Sequence, residues 1–469
     1  MVLSDWGEGG AARGLFISSV AWLVIAVSLA LVLAVKFIFP EFLSGYGFLQ
    51  FGRVRPVHVN IAAFGWLSMV QVAAVFYIVP KLTKTRLYSE RLGNLTVILW
   101  NVFLVLAAFT LLMGMTQGRE YAELIWPLDV FFLVILGLVA FNVFMTVLRR
   151  REKGLYVSLW YFLGSLVWMP IIYVVGNVMW VVPAGALSGV NDAIVNWFYG
   201  HNILGLWFTT LGIGAAYYLL PKLVKKPLYS HKLSLIGFWT IGLFYSWVGT
   251  HHLIWGPVPY WAQTVSIVAS VAMLIPVFSV LWNFWKTLEG RWQFVAGYGR
   301  GLATNGGNAY AWSDSLALKF LVLGAAWYLV TCIQGPFQAL RSVQVFTHFT
   351  NWVVAHAHIA LLGAFTFWGF ASIYYILPRI LGSSFYSRSL GNTHFYLLTI
   401  GLIGFFSALT VAGLIQGANW SAGSPFIKVV SQMRPYMVVR GIAAILMAAS
   451  IYVFAYNFYR TVSLGRWWR

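Results

Sequence analysis

Residues 350–378 read TNWVVAHAHIALLGAFTFWGFASIYYILP, an apolar run holding two histidines and no Asp, Glu, Lys or Arg. A helix that crosses a bilayer needs about 20 mostly apolar residues, and this run exceeds that. In hydrocarbon a helix satisfies its own backbone hydrogen bonds. A membrane barrel would instead show short alternating segments. The run is therefore read as a transmembrane helix. Polar side chains inside a membrane are costly and usually functional, so its two imidazoles become the next question.

The rest of the chain repeats the pattern. Apolar runs near 15–38, 57–80, 94–116, 128–149, 155–180, 196–220, 232–255, 262–286, 315–335, 392–417 and 433–460 join the first, about twelve in all. Of the 469 residues, 61% are hydrophobic and 9% charged, against roughly a quarter charged in soluble domains. Mean hydropathy is +0.80. The expectation is an all-α integral membrane protein, one membrane domain over residues 1–469 with about twelve transmembrane helices. The first run is long enough to span and no small-residue cleavage site clearly follows it, so it reads as a helix and not a signal peptide. The lone cysteine, Cys332, excludes an internal disulfide, and no Cys-x-x-Cys-His is present to attach a c-type haem. No convincing internal repeat is evident, so nothing points to a transporter built on inverted repeats. The Gly-rich stretch 287–314 has no strand before it, as a phosphate-cradling loop requires, and reads as a connector.

The net charge of +19 reads as topology and not as a nucleic-acid surface. Lys81, Lys84, Arg86 and Arg91 follow the second run. Arg149, Arg150, Arg151 and Lys153 follow the fourth; Lys222, Lys225, Lys226 and Lys232 follow the sixth. Basic residues concentrate in cytoplasmic loops. Both termini and the even-numbered loops are thus expected on the cytoplasmic side of a bacterial or archaeal membrane.

Six of the nine histidines, His58, His201, His251, His252, His356 and His358, fall in or at the ends of these runs. With helices alternating in direction, all six lie in the outer part of the membrane at similar depth. Taken singly, each would more often be a helix–helix hydrogen bond; six at one depth point to metal or haem. Imidazole nitrogen is a common ligand for both. His356 and His358 lie about 200° apart around a helix and each suits a different cofactor. His251 and His252, about 100° apart, can converge on one ion. A third imidazole from His201 leaves an open position, which suits a copper that binds small ligands. His58 can then pair with one of the two histidines of the 350–378 run on a six-coordinate haem, the other holding a five-coordinate haem.

These residues resemble the haem–copper oxygen reductase superfamily, and most closely its C family, the cbb3-type cytochrome c oxidases. Trp197-Phe-Tyr-Gly-His-Asn202 is similar to that family's sixth helix and Tyr245-Ser-Trp-Val-Gly-Thr-His-His252 to its seventh. Gly118-Arg-Glu-Tyr-Ala-Glu123 before Trp126-Pro127 resembles a family loop. Arg55-Pro-Val-His58 and His348 through His358 match its haem segments. The resemblance implies the subunit I fold, with His58 and His358 on a low-spin haem b and His356 on a high-spin haem b. It puts a copper ion on His201, His251 and His252. Tyr245 is implied as the tyrosine linked to the copper ligand His201 that supplies a proton and an electron for splitting dioxygen. Seven residues at 100° each would set Tyr245 on the same helix face as His252. Arg55 and His348 are implied near haem propionates, with Arg53 beside them, and Glu120 and Glu123 near a calcium ion.

The implied activity is that of a terminal cytochrome c oxidase: dioxygen reduced to water, coupled to proton uptake or translocation. Membrane-anchored c-type cytochrome subunits and cytochrome c or an equivalent donor are the implied partners. Tyr217, Tyr218, Tyr229, Ser234 and Thr240 lie where a proton path would run, while His231 and His394 look peripheral. The chain departs from the pattern at Gln334, where the family usually has a glutamate, and at Asn351, usually an aspartate; an amide does not accept and release a proton. The alternative is a nitric oxide reductase-like member of the superfamily. Its bacterial forms use iron and place a glutamate four residues after the first histidine ligand, here Gly205, and lack the tyrosine at 245. A proton-relay transporter would show no haem absorption, and a non-catalytic haem sensor would not need the full ligand set.

Overall fold

The computed structural model describes residues 9–178, 187–296 and 310–464, and among these there are helices and turns but no strand. Eleven helices are long and apolar enough to cross a membrane. They are α1 (Gly10–Lys36), α2 (Phe51–Thr83), α3 (Glu90–Leu112), α4 (Trp126–Leu148), α5 (Val157–Val178) and α6 (Gly189–Val224). After a shorter seventh helix come α8 (Tyr260–Leu288), α9 (Ala311–Ala339), α10 (Asn351–Leu381), α11 (Arg388–Ser421) and α12 (Phe426–Leu464). The expected twelfth, α7 (His231–Tyr245), is only 15 residues long. It gives way to a turn and a 3-10 helix, Gly249–Leu253. The sixth span begins at Gly189, earlier than its apolar run; residues 179–186, and residues 297–309 of the Gly-rich connector, lie outside the described residues.

Burial singles out three helices. The most apolar windows of α2, α6 and α10 are 83%, 94% and 89% buried, while the other spans range from 39% to 56%. These three pack against one another at the centre, and all three carry histidines. Each also contains a π-helical stretch shortly after a histidine: Ile61–Leu67 after His58, Leu204–Thr209 after His201, Ile359–Phe365 after His358. Such widened turns are frequent at functional sites.

The chain contains an internal repeat where none was expected. Pro80-Lys-Leu…Leu87-Tyr-Ser89, Pro221-Lys-Leu…Leu228-Tyr-Ser230 and Pro378-Arg-Ile…Phe385-Tyr-Ser387 are three copies of one turn. Each central helix ends with Pro in its last turn and a left-handed residue, Lys84, Lys225 or Gly382, whose amide bonds the proline carbonyl. Each next helix starts with a serine whose hydroxyl accepts from the amide three residues on, at 3.1, 3.1 and 3.3 Å. An Asn-x-x-x-Thr on the helix after that clamps the turn. Asn142, Asn283 and Asn457 each accept from the serine amide and donate to its carbonyl. Thr146, Thr287 and Thr461 accept from the tyrosine amide. The molecule is thus three four-helix units, α1–α4, α5–α8 and α9–α12, each with its buried helix second.

Removing one clamp strands a backbone donor and an acceptor. Asn142→Ala, Asn283→Ala and Asn457→Ala are each expected to destabilise the protein by about 1–3 kcal/mol. Thermal unfolding in detergent checks this; a variant that melts like the parent would show the clamp to be idle.

Candidate active site

The histidine-bearing ends of α2, α6 and α10 face away from the clamped turns. At that end His201 from α6 meets His251 and His252 from the 3-10 helix. Their ligand atoms all lie within 4.8 Å of one another, and their ring centroids are 4.5–5.0 Å apart. No other such group of three occurs among the described residues. Gly249 makes the approach possible, because a Cβ there would meet the Trp197 carbonyl oxygen at 2.5 Å. Trp197 in turn stacks on His252, centroids 3.9 Å apart.

Hydrogen bonds decide which nitrogens face inward. His251 Nδ1 lies 2.7 Å from Ser270 Oγ, whose own proton goes to the Ser266 carbonyl, so the imidazole is the donor and Nε2 is left to ligate. His201 Nδ1 is buried with no hydrogen-bond partner. A buried, unpaired nitrogen is costly, and a metal ion would satisfy it. Ser270 carries no mark in the sequence beyond its spacing of four from Ser266. Outer partners of metal ligands usually govern affinity by 10- to 100-fold. Ser270→Ala is expected to weaken metal binding at the cluster by about that factor, read by metal titration of the purified protein; unchanged affinity would remove Ser270 from the site.

Tyr245 reaches the same cluster, but not as the helical extrapolation to His252 has it. α7 ends at Tyr245, and the chain turns through Ser246–Val248 before the histidines. Tyr245 instead meets His201 edge-on, ring centroids 4.9 Å apart. It occupies the space beside Gly205, where a Cβ would lie 2.1 Å from the ring. On α9, Tyr328 and Cys332 lie one turn apart, with their side chains close to each other and to Tyr245; neither stands out in the sequence.

The remaining histidines take two arrangements. His58 Nδ1 bonds the Ala26 carbonyl at 2.9 Å, and His358 Nδ1 bonds the Val354 carbonyl at 2.8 Å, so both leave Nε2 free. The two are close enough to interact electrostatically. His356 Nδ1 bonds a side chain, the Gln334 amide oxygen, at 3.0 Å. The donor set therefore fits two groups held by His58, His358 and His356 beside a three-histidine ion, as a haem pair and a copper require. His348, expected at a propionate, lies close to His252 and stacks on Phe349 at 3.8 Å. Asn351 is held by Gln416 on α11, 2.9 Å from both its amides.

Arg55 pairs with Glu120 at 2.8 Å and lies 3.8 Å from Glu123, while Arg53 donates to the Leu112 carbonyl. Burial pushes the Glu123 carboxyl above its ordinary range, against the pull of its hydrogen bond from Asn60. Burial also raises the adjoining Tyr121 to about 12. Of the polar residues expected along a proton path, Tyr217, Tyr218 and Ser234 are buried. Tyr229 is 55% exposed, and Thr240 bonds its own helix. His394 is not peripheral: it is fully buried and bonds the Tyr374 hydroxyl at 3.1 Å.

The chain is similar to known proteins in sequence and in fold. The family model described as cytochrome c and quinol oxidase polypeptide I matches residues 10–446. The chain is 31% identical over 468 residues to the cbb3-type cytochrome c oxidase subunit CcoN1 of Stutzerimonas stutzeri, covering 97% of this chain and 95% of that one. It is 23% identical to a nitric oxide reductase chain of the same organism, over 95% and 94% of the two chains. The fold matches that of a heme-copper terminal oxidase dimer solved by cryo-EM, with TM-score 0.80, 17% identity, and 96% and 84% of the chains covered. With the histidine constellation, the buried helix triad and a family match over nearly its whole length, the chain belongs to the haem–copper oxidase subunit I family and stands among the cbb3-type cytochrome c oxidases.

Proposed function

We propose that this protein reduces dioxygen to water as the core subunit of a cbb3-type terminal oxidase, drawing electrons from c-type cytochromes. The observation that carries this reading is Tyr245 lodged against Gly205 beside the three-histidine cluster. A nitric oxide reductase-like site would place a carboxylate at 205, and no side chain fits there beside Tyr245.

In this reading His201, His251 and His252 hold copper, His356 the high-spin haem, and His58 with His358 the low-spin haem b. The bound haems and copper supply the redox chemistry with dioxygen. The chain's own residues do the rest. Ser270 and the Ala26 and Val354 carbonyls orient imidazoles. Tyr245 holds a phenolic proton beside His201 and gives it to the dioxygen being reduced there. Tyr328 and Cys332, with the buried Tyr217 and Ser234, offer hydroxyl and thiol groups through which that proton is restored from the far side of the bundle. With the basic turns facing the cytoplasm, as their charge predicts, both termini lie on that side and the protons cross most of the membrane.

Arg55 and His348 at the histidine end would meet haem propionates. Glu120 and Glu123 would give oxygen ligands to a calcium ion, which would relieve the cost of burying Glu123. The chain has no c-haem motif, so electrons arrive through membrane-anchored cytochrome partners in a bacterial or archaeal cytoplasmic membrane. Oxygen and nitric oxide uptake by the purified complex, driven by reduced cytochrome c, test the proposal. Fast cyanide-sensitive oxygen uptake supports it; fast nitric oxide uptake with negligible oxygen uptake sinks it.

A further inference from the structure

His356 stands apart from the other histidines in what holds it. His58 and His358 are anchored by backbone carbonyls and His251 by a serine hydroxyl, whereas His356 is anchored by a side-chain amide, Gln334 Oε1 at 3.0 Å. The contact is built, not incidental. Gln334 and Gln338 lie one turn apart on α9, and Trp352 and His356 one turn apart on α10. They pair as a two-rung ladder, Trp352 Nε1 donating to Gln338 Oε1 at 2.7 Å and His356 Nδ1 to Gln334 Oε1. Gln334 is 8% exposed. It borders an apolar cleft of about 340 Å³ with Val330, Ile333, Phe337 and Trp352. In such surroundings a hydrogen bond is electrostatically strengthened and a charge is poorly screened.

We infer that Gln334 sets the reduction potential of the high-spin haem by giving its ligand His356 a neutral hydrogen-bond acceptor. This rests on the proposal that His356 ligates that haem. A carboxylate acceptor draws the Nδ1 proton away, makes the imidazole a stronger donor and favours ferric iron; a neutral amide withholds that push. A hydrogen bond to the far nitrogen of the ligating imidazole is one of the levers by which a protein tunes haem iron. The amide also avoids burying a charge against the cleft. Gln334 is thus a positioning residue: its oxygen accepts from Nδ1, presents Nε2 to the iron, and keeps the ligand uncharged.

The test uses the purified complex and two variants, Gln334→Glu and Gln334→Met, followed by spectroelectrochemistry and by resonance Raman of the ferrous iron–histidine stretch. At alkaline pH, where the introduced carboxyl is ionised, Gln334→Glu is expected to lower the high-spin midpoint. The expected size is at least tenfold in the reduction equilibrium, 59 mV for one electron, with a raised stretching frequency and an unmoved low-spin haem. Gln334→Met removes the acceptor and is expected to lower the stretching frequency. A midpoint drop without a frequency change would mean charge alone acts through space, and would overturn the inference, as would no shift in either variant. His356→Ala, run beside them, must abolish the iron–histidine stretch; if the stretch persists, the ligand assignment itself fails, a result separable from any Gln334 effect.

Discussion

Replacing Tyr245 with phenylalanine is expected to cut oxygen uptake by about 10²- to 10⁴-fold, the usual worth of a positioned proton donor, while both haem absorption bands remain. The ring keeps its place, because phenylalanine fills the same space against Gly205 and His201; only the hydroxyl and its proton go. Uptake, haem spectra and copper content measured on one preparation separate the outcomes. Lost uptake with cofactors retained identifies the hydroxyl as the working part. Retained uptake would mean that the proton enters by another route. Lost copper would recast Tyr245 as a structural support for His201.

The second large effect is expected at a residue with no side chain. In Gly205→Ala the new Cβ would lie 2.1 Å from Tyr245 Cε1 and 2.2 Å from Cζ, so the ring must move. Overpacking costs about 1–3 kcal/mol, which the fold should withstand, but Tyr245 leaves its position beside His201. Oxygen uptake is expected to fall to the level of Tyr245→Phe. Because both changes act through one group, combining them should cost little more than either alone. Full additivity of the two losses would show that Gly205 serves something other than the tyrosine. Ordinary uptake in Gly205→Ala would mean that the ring has room the present packing does not show.

Much of this site is legible in the sequence because its chemistry is carried by residues that lipid makes expensive. Six histidines in apolar runs announce themselves, and alternation of helix direction is enough to bring them to one depth. Sequence spacing fails where the backbone leaves the helix. From Tyr245 to His252 a continuous helix predicts a shared face, yet Gly249 lets the chain fold into a tighter 3-10 turn against Trp197. The right residues meet by a different path. Ser270, Gln334 and Gln338 are beyond reach for another reason: their partners lie on other helices, and one polar residue in an apolar run does not say which neighbour it will find. The Pro…Tyr-Ser turns are legible but faint, since only short segments recur, at intervals of unequal length.

Those turns also say something about ancestry. Three copies of one hairpin, each clasped by the same asparagine and threonine, are what two duplications and a fusion would leave of a polypeptide roughly a third as long. Each copy pairs the clasped turn with a buried second helix. Joining the copies in one gene freed them from identity. The first unit keeps His58 alone, the second draws His251 and His252 from its third segment to join His201, and the third carries two histidines on one helix. An asymmetric catalyst has been written onto a symmetric frame, and the clasps are where the symmetry was never worth erasing.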